Sequence, residues 1–166
     1  MIVLLVLAAM SYQDARYRGI VWWLFPLLFI MLSILSARDI GMYSTVCNFA
    51  LNGLFIVVQV LFLAFYFSIR RKKITNIFNG YLGLGDFLLL VSLAVYFPVL
   101  SFVGFYVLSL LAVICITLIV TLILKIRIKK IPLAGYQAAL FFVLVLVELS
   151  SETIRFSRDL SFFTFF

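Results

Sequence analysis

Gly83-Leu-Gly-Asp-Phe-Leu-Leu-Leu-Val-Ser-Leu-Ala-Val-Tyr-Phe-Pro98 opens a stretch with no charged residue between Asp86 and Lys125. The 38 residues from 87 to 124 are too many for one helical crossing of a ~30 Å hydrocarbon core and enough for two. Pro98 to Gly104 is the expected turn. It divides the run into one segment from Asp86 to about Phe97 and another from about Val103 to Leu124. An acid at the mouth of such a run is unfavourable in a bilayer and asks for a functional reason.

The same reading extends outward. Of the 166 residues, 67% are hydrophobic and only 11% charged, against about 25% charged in soluble domains. The mean hydropathy is +1.30. The chain is expected to be an all-α, polytopic membrane protein: one domain over residues 1–166 with six transmembrane helices. The first apolar segment runs from Met1 to Gln13, or continues past Asp14 to reach a full crossing. The second runs from Ile20 to Ala37, with Trp22 and Trp23 as an interfacial belt and Pro26 in its first turns, where proline is tolerated. After a short loop from Arg38 to Tyr43, the third runs from about Thr45 to Ile69. A linker from Ile74 to Gly85 precedes the fourth and fifth. The sixth runs from about Pro132 to Leu149, and the aromatic tail up to Phe166 is expected at the membrane surface.

The net charge of +7 does not point to nucleic acid, because the basic residues fall in short clusters between apolar runs. With the N-terminus outside, the inner loops carry Arg16, Arg18, Arg70, Arg71, Lys72, Lys73, Lys125, Arg127, Lys129 and Lys130. The outer side carries Arg38, Arg155 and Arg158. That asymmetry favours six crossings with both termini outside, and it brings Asp14 and Asp86 to the same, cytoplasmic, face.

Chemistry is narrowed by what is missing. The chain has no histidine, so a Ser-His-Asp triad is excluded. Cys47 and Cys115, far apart in apolar stretches, suggest neither a zinc site nor a disulfide framework. No metal and no cofactor is expected. Of the six acids, Asp39, Glu152 and Asp159 read as solvated and Glu148 as interfacial. Asp14 and Asp86 remain. Each has a structural explanation: Asp86 as a helix N-cap, and Asp14 as the ion-pair partner of Arg18 four residues on. Together they also make an aspartyl dyad. Two carboxylates brought close cannot both ionise, so one holds a proton while the other takes a proton from an attacking water. Gly83 and Gly85, lacking side chains, would let a substrate backbone or a partner helix come near.

Three motifs carry a family resemblance. Asp14-Ala-Arg-Tyr-Arg18-Gly-Ile20 resembles the first catalytic motif of the type IV prepilin peptidases. Gly83-Leu-Gly85-Asp86 resembles their Gly-x-Gly-Asp motif. Ile131-Pro132-Leu-Ala-Gly135 resembles the segment before their last helix. The resemblance implies an intramembrane aspartic endopeptidase that cuts basic leader peptides from pilin-like precursors at the cytoplasmic face of the inner membrane. Asp14 and Asp86 would be catalytic, supported by Arg18, Gly83, Gly85, Pro132 and Gly135. Val21, Trp22 and Leu88 depart from the family pattern and bear on substrate contacts. The zinc-binding, methylating domain of longer members is not expected, because the sequence starts directly with a helix. The basic clusters would not attract a basic leader; they set topology and bind anionic lipid headgroups. A non-enzymatic transporter or scaffold with a proton-coupled acid pair is the alternative in another class. A presenilin-like enzyme also uses Gly-x-Gly-Asp, but there a Tyr-Asp pair lies in the preceding helix, whereas here Gln13 precedes Asp14 and several helices intervene.

Overall fold

The computed structural model describes residues 2–71, 83–124 and 133–150. Pro132, most of the linker, the basic residues at 72–73 and 125–130 and the tail from 151 lie outside them. The described residues form six α-helices and no strand: α1 (Ile2–Tyr17), α2 (Leu24–Ile40), α3 (Met42–Arg71), α4 (Leu84–Leu93), α5 (Val99–Leu124) and α6 (Leu133–Ser150). Three are long and apolar enough to cross a membrane, within α3, α5 and α6. At 16, 17 and 10 residues, α1, α2 and α4 are shorter. The surface is turned inside out relative to a soluble protein. Leu5, Phe62 and Leu122 are each at least 70% exposed, as lipid-facing side chains are where no hydrophobic force drives helices together.

Helix boundaries follow local chemistry. α1 continues through Asp14, the second of the two options its sequence leaves. The loop expected from Arg38 to Tyr43 contracts to Gly41 alone, which separates α2 from α3 with φ 85°. Only glycine takes that conformation without strain, so one residue suffices for the turn. α2 starts at Leu24, four residues later than the apolar run, because residues 18–23 form a separate corner.

The break in the long uncharged run also falls earlier than Pro98–Gly104. α4 ends at Leu93, residues 94–97 turn, and α5 starts at Val99. Ala94, Val95, Tyr96 and Phe97 are buried. Irregular backbone at membrane depth survives only where protein covers it and satisfies its polar groups. Both conditions are met. Tyr96, Phe97, Phe105 and Phe141 pack as an aromatic cluster, with Phe97 stacked on Phe105 at 5.3 Å. From α3, the fully buried Asn52 donates through Nδ2 to the carbonyls of Ala94 (2.9 Å) and Phe97 (2.8 Å). One amide thus serves two carbonyls of the turn. Asn52→Leu keeps the volume and orphans both acceptors. It is expected to destabilise the fold by about 1–3 kcal/mol, read as a lowered unfolding midpoint in detergent micelles.

At its other end, α6 holds Glu148. This acid is half-buried rather than simply interfacial, and it accepts a hydrogen bond from the hydroxyl of the buried Tyr96.

Candidate active site

Leu7, Met10 and Asp14 are all buried on α1. Their spacing of three and four residues puts them on one stripe, so Asp14 shares the stripe that packs on α6 rather than the opposite face. The α1–α6 contact is the most extensive between any two helices. Close approach is possible because α6 presents Ala134, Gly135 and Ala138, all buried, along that line. Asp14 is 7% exposed. Its Oδ2 accepts the Gly135 N–H at 2.6 Å. The expected ion pair with Arg18 is therefore not what holds this carboxylate. Arg18 is linked to Asp14 through the backbone, its N–H donating to the Asp14 carbonyl at 2.9 Å.

Asp86 is in the first turn of α4 but is not its N-cap. Gly83 is. The carboxylate folds back so that Oδ2 lies against Gly83; a Cβ built there would sit 2.6 Å from it. The Gly83 amide interacts with the carboxylate, which is half of a capping box: an acid at the third helical position serving the N-cap amide. Asp86 faces the start of α6 at Ala134, and Asp14 lies within its electrostatic range. Asp14 thus engages the Gly135 amide in the first turn of α6, with Asp86 beside the same turn. There, unsatisfied N–H groups and the positive end of the helix dipole favour carboxylates.

The glycines divide by what fills their missing side chains. A Cβ on Gly135 would lie 2.8 Å from both Cβ and Oδ2 of Asp14. At Gly83 the obstacle is Asp86. Gly83 makes room for the acid of its own helix, and Gly135 for the acid that the neighbouring α1 brings against α6. Gly85 differs: its Cβ would meet only the Phe25 ring at 3.7 Å, an ordinary contact.

Both acids line one cavity of about 460 Å³, together with Arg18, Gly83, Gly85 and Ala134. Its walls are otherwise apolar, and Ile20, Trp22, Phe25 and Leu88 contribute to them. Two of the three positions that depart from the family pattern, Trp22 and Leu88, therefore face the space beside the acids. The third, Val21, donates its N–H to Oε1 of Gln13 at 3.1 Å and pins the corner that carries Trp22, itself stacked on Trp23 at 4.0 Å. Gln13 and Ala134 were not singled out by the sequence. A helix beginning at Leu133 could have flagged the Ala134 amide as an anion site; nothing local marks Gln13. Among the described residues no group of three His, Cys, Asp or Glu side chains could hold a metal ion.

No protein-family model, curated protein or solved structure matches the chain.

Proposed function

We propose that this protein is an intramembrane aspartic endopeptidase, similar in kind to the prepilin peptidases, with Asp14 and Asp86 as its catalytic pair. The observation that carries the reading is convergence. Two acids 72 positions apart in an acid-poor chain line one cavity at the start of α6, each against a glycine that yields it room. In this reading all six helices form the membrane domain, α1, α2 and α4 completing the bundle around the three long spans. The site lies at the cytoplasmic face of the inner membrane, and the substrate is the basic leader of a pilin-like precursor whose apolar segment enters from the bilayer. The oligomeric state does not enter the argument.

Chemistry follows from the pair acting as a unit. A water between the carboxylates gives a proton to the ionised one, and its oxygen bonds to the carbonyl carbon of the peptide bond. The protonated partner gives its proton to the carbonyl oxygen. When the C–N bond breaks, the protonated carboxyl gives its proton to the departing amine, the other carboxylate takes one from a hydroxyl of the tetrahedral intermediate as its C=O bond re-forms, and the pair is again singly protonated. The preorganised Gly135 amide at the start of α6 holds the Asp14 carboxylate in place during these transfers.

The test is cleavage of a precursor by the purified protein in lipid vesicles, with the product N-terminus read by mass spectrometry. A proton flux dependent on Asp14 or Asp86, with no cleavage, would support the transporter alternative instead. The dyad also predicts a bell-shaped pH–rate profile. Rate falls in acid as the pair becomes doubly protonated and lacks a base. It falls in alkali as the second proton leaves and no acid remains. A profile that only rises with pH would contradict the mechanism.

A further inference from the structure

Arg18 is the one residue other than glycine with positive φ among the described residues, at 54°. It stands directly after the last residue of α1, where glycine is the usual choice because a Cβ strains this conformation. Glycine is available one position later, at Gly19, yet the strained position holds arginine. The side chain lines the cavity beside both acids. Arg18 is exposed and forms no ion pair with either acid; the Asp14 carboxylate accepts the Gly135 N–H, and that of Asp86 folds back on Gly83. Arg16, two residues earlier, differs: it donates to the Tyr12 hydroxyl and is not part of the cavity wall.

A guanidinium offers five donors and no acceptor, in a fixed planar fork. Once a peptide fills the cavity and displaces water, those donors need acceptors. Asp14 is held by the Gly135 amide, Asp86 is folded against Gly83, and the side chains of Ile20, Trp22 and Leu88 offer none. A peptide segment seated against such walls presents its backbone carbonyl oxygens.

We propose that Arg18 is a substrate-binding residue, whose guanidinium holds a backbone carbonyl of the bound peptide next to the bond that is cut, and that the left-handed backbone at this position serves to aim it into the cavity. This rests on the peptidase reading. Peptide polarity is then registered through the main chain, so the contribution of Arg18 is independent of which side chains flank the cleaved bond.

The experiment compares Arg18→Gly, Arg18→Lys and Arg16→Gln with the parent protein in vesicles, measuring KM, kcat and unfolding midpoint on one precursor peptide. Binding of the same peptide to Asp86→Asn protein, with and without Arg18→Gly, is measured by fluorescence anisotropy. Arg18→Gly is expected to raise KM about tenfold to a hundredfold, the range for losing a hydrogen bond to a charged group. Its kcat stays within about threefold, and its midpoint is unchanged or higher because strain is relieved. Arg18→Lys recovers part of the binding, and Arg16→Gln, with the same charge lost two residues earlier in the last turn of α1, leaves KM unchanged. Peptide affinity of the Asp86→Asn protein falls by the same factor on Arg18→Gly. An unchanged KM and peptide affinity in Arg18→Gly would overturn the proposal, as would an equal loss in Arg16→Gln. Cleavage that survives Asp86→Asn would instead overturn the peptidase reading.

Discussion

Asp14→Asn and Asp86→Asn are each expected to reduce precursor cleavage roughly a thousandfold or more, leaving membrane insertion and unfolding midpoint close to the parent's. The argument is one of shape against charge. Asparagine has nearly the outline of aspartate and keeps a carbonyl oxygen, so the Gly135 amide, 2.6 Å from Oδ2 of Asp14, retains an acceptor. At Asp86 the same outline keeps the side chain in the space that Gly83 leaves open. What is lost is the ability to take up and release a proton, which the proposed chemistry requires of both groups. Measuring both properties on one preparation separates a chemical defect from a folding defect. A variant that loses cleavage together with its fold says nothing against a structural role.

The second large effect concerns glycine. Gly135→Ala is expected to lower cleavage about a hundredfold or more and to destabilise the fold by roughly 1–3 kcal/mol. The added methyl would lie 2.8 Å from Cβ and Oδ2 of Asp14. The first of these atoms belongs to the base of the side chain and cannot swing away. Either Asp14 is displaced or α1 and α6 separate. Misplacing a catalytic group by about 1 Å is enough for such a loss. Gly83→Ala meets Oδ2 of Asp86 at 2.6 Å, the far end of a side chain, so it displaces the carboxylate more than the backbone. It should therefore impair cleavage more than stability. Gly85→Ala, with only the Phe25 ring at 3.7 Å, should leave both within a few-fold of the parent. Rates and unfolding midpoints for the three variants check this order. Equal damage at positions 83 and 85 would contradict it.

That order was not legible in the sequence. Gly83 and Gly85 read there as places of close approach and Gly135 only as part of a motif, but what fills the space at each is set by the folded chain: Asp86, Phe25 and Asp14. Local signals did well where local physics decides. The six apolar segments and the helical setting of Pro26 follow from hydropathy and length, which left open whether α1 continues past Asp14. The break between α4 and α5 was misplaced toward Pro98–Gly104 because proline and glycine are the visible breakers. The actual turn at residues 94–97 is held by Asn52, more than 40 positions away, and by aromatic packing. The loop after α2 was drawn too long because one glycine at φ 85° does the work of several residues. At the candidate site, Asp14 and Asp86 stood out because acids are scarce in this chain. Ala134 did not, since an amide contributes through position and not through side-chain identity.

The central claim is that Asp14 and Asp86 act as one unit, and a double-mutant comparison addresses it most directly. Parent, Asp14→Asn, Asp86→Asn and the double variant are placed in identical vesicles, and precursor cleavage is followed by mass spectrometry of the product. If the pair is a single catalytic device, either substitution removes it and the double variant is no slower than the single ones. Parent-like cleavage in either single variant, or losses that multiply in the double variant, would contradict the account.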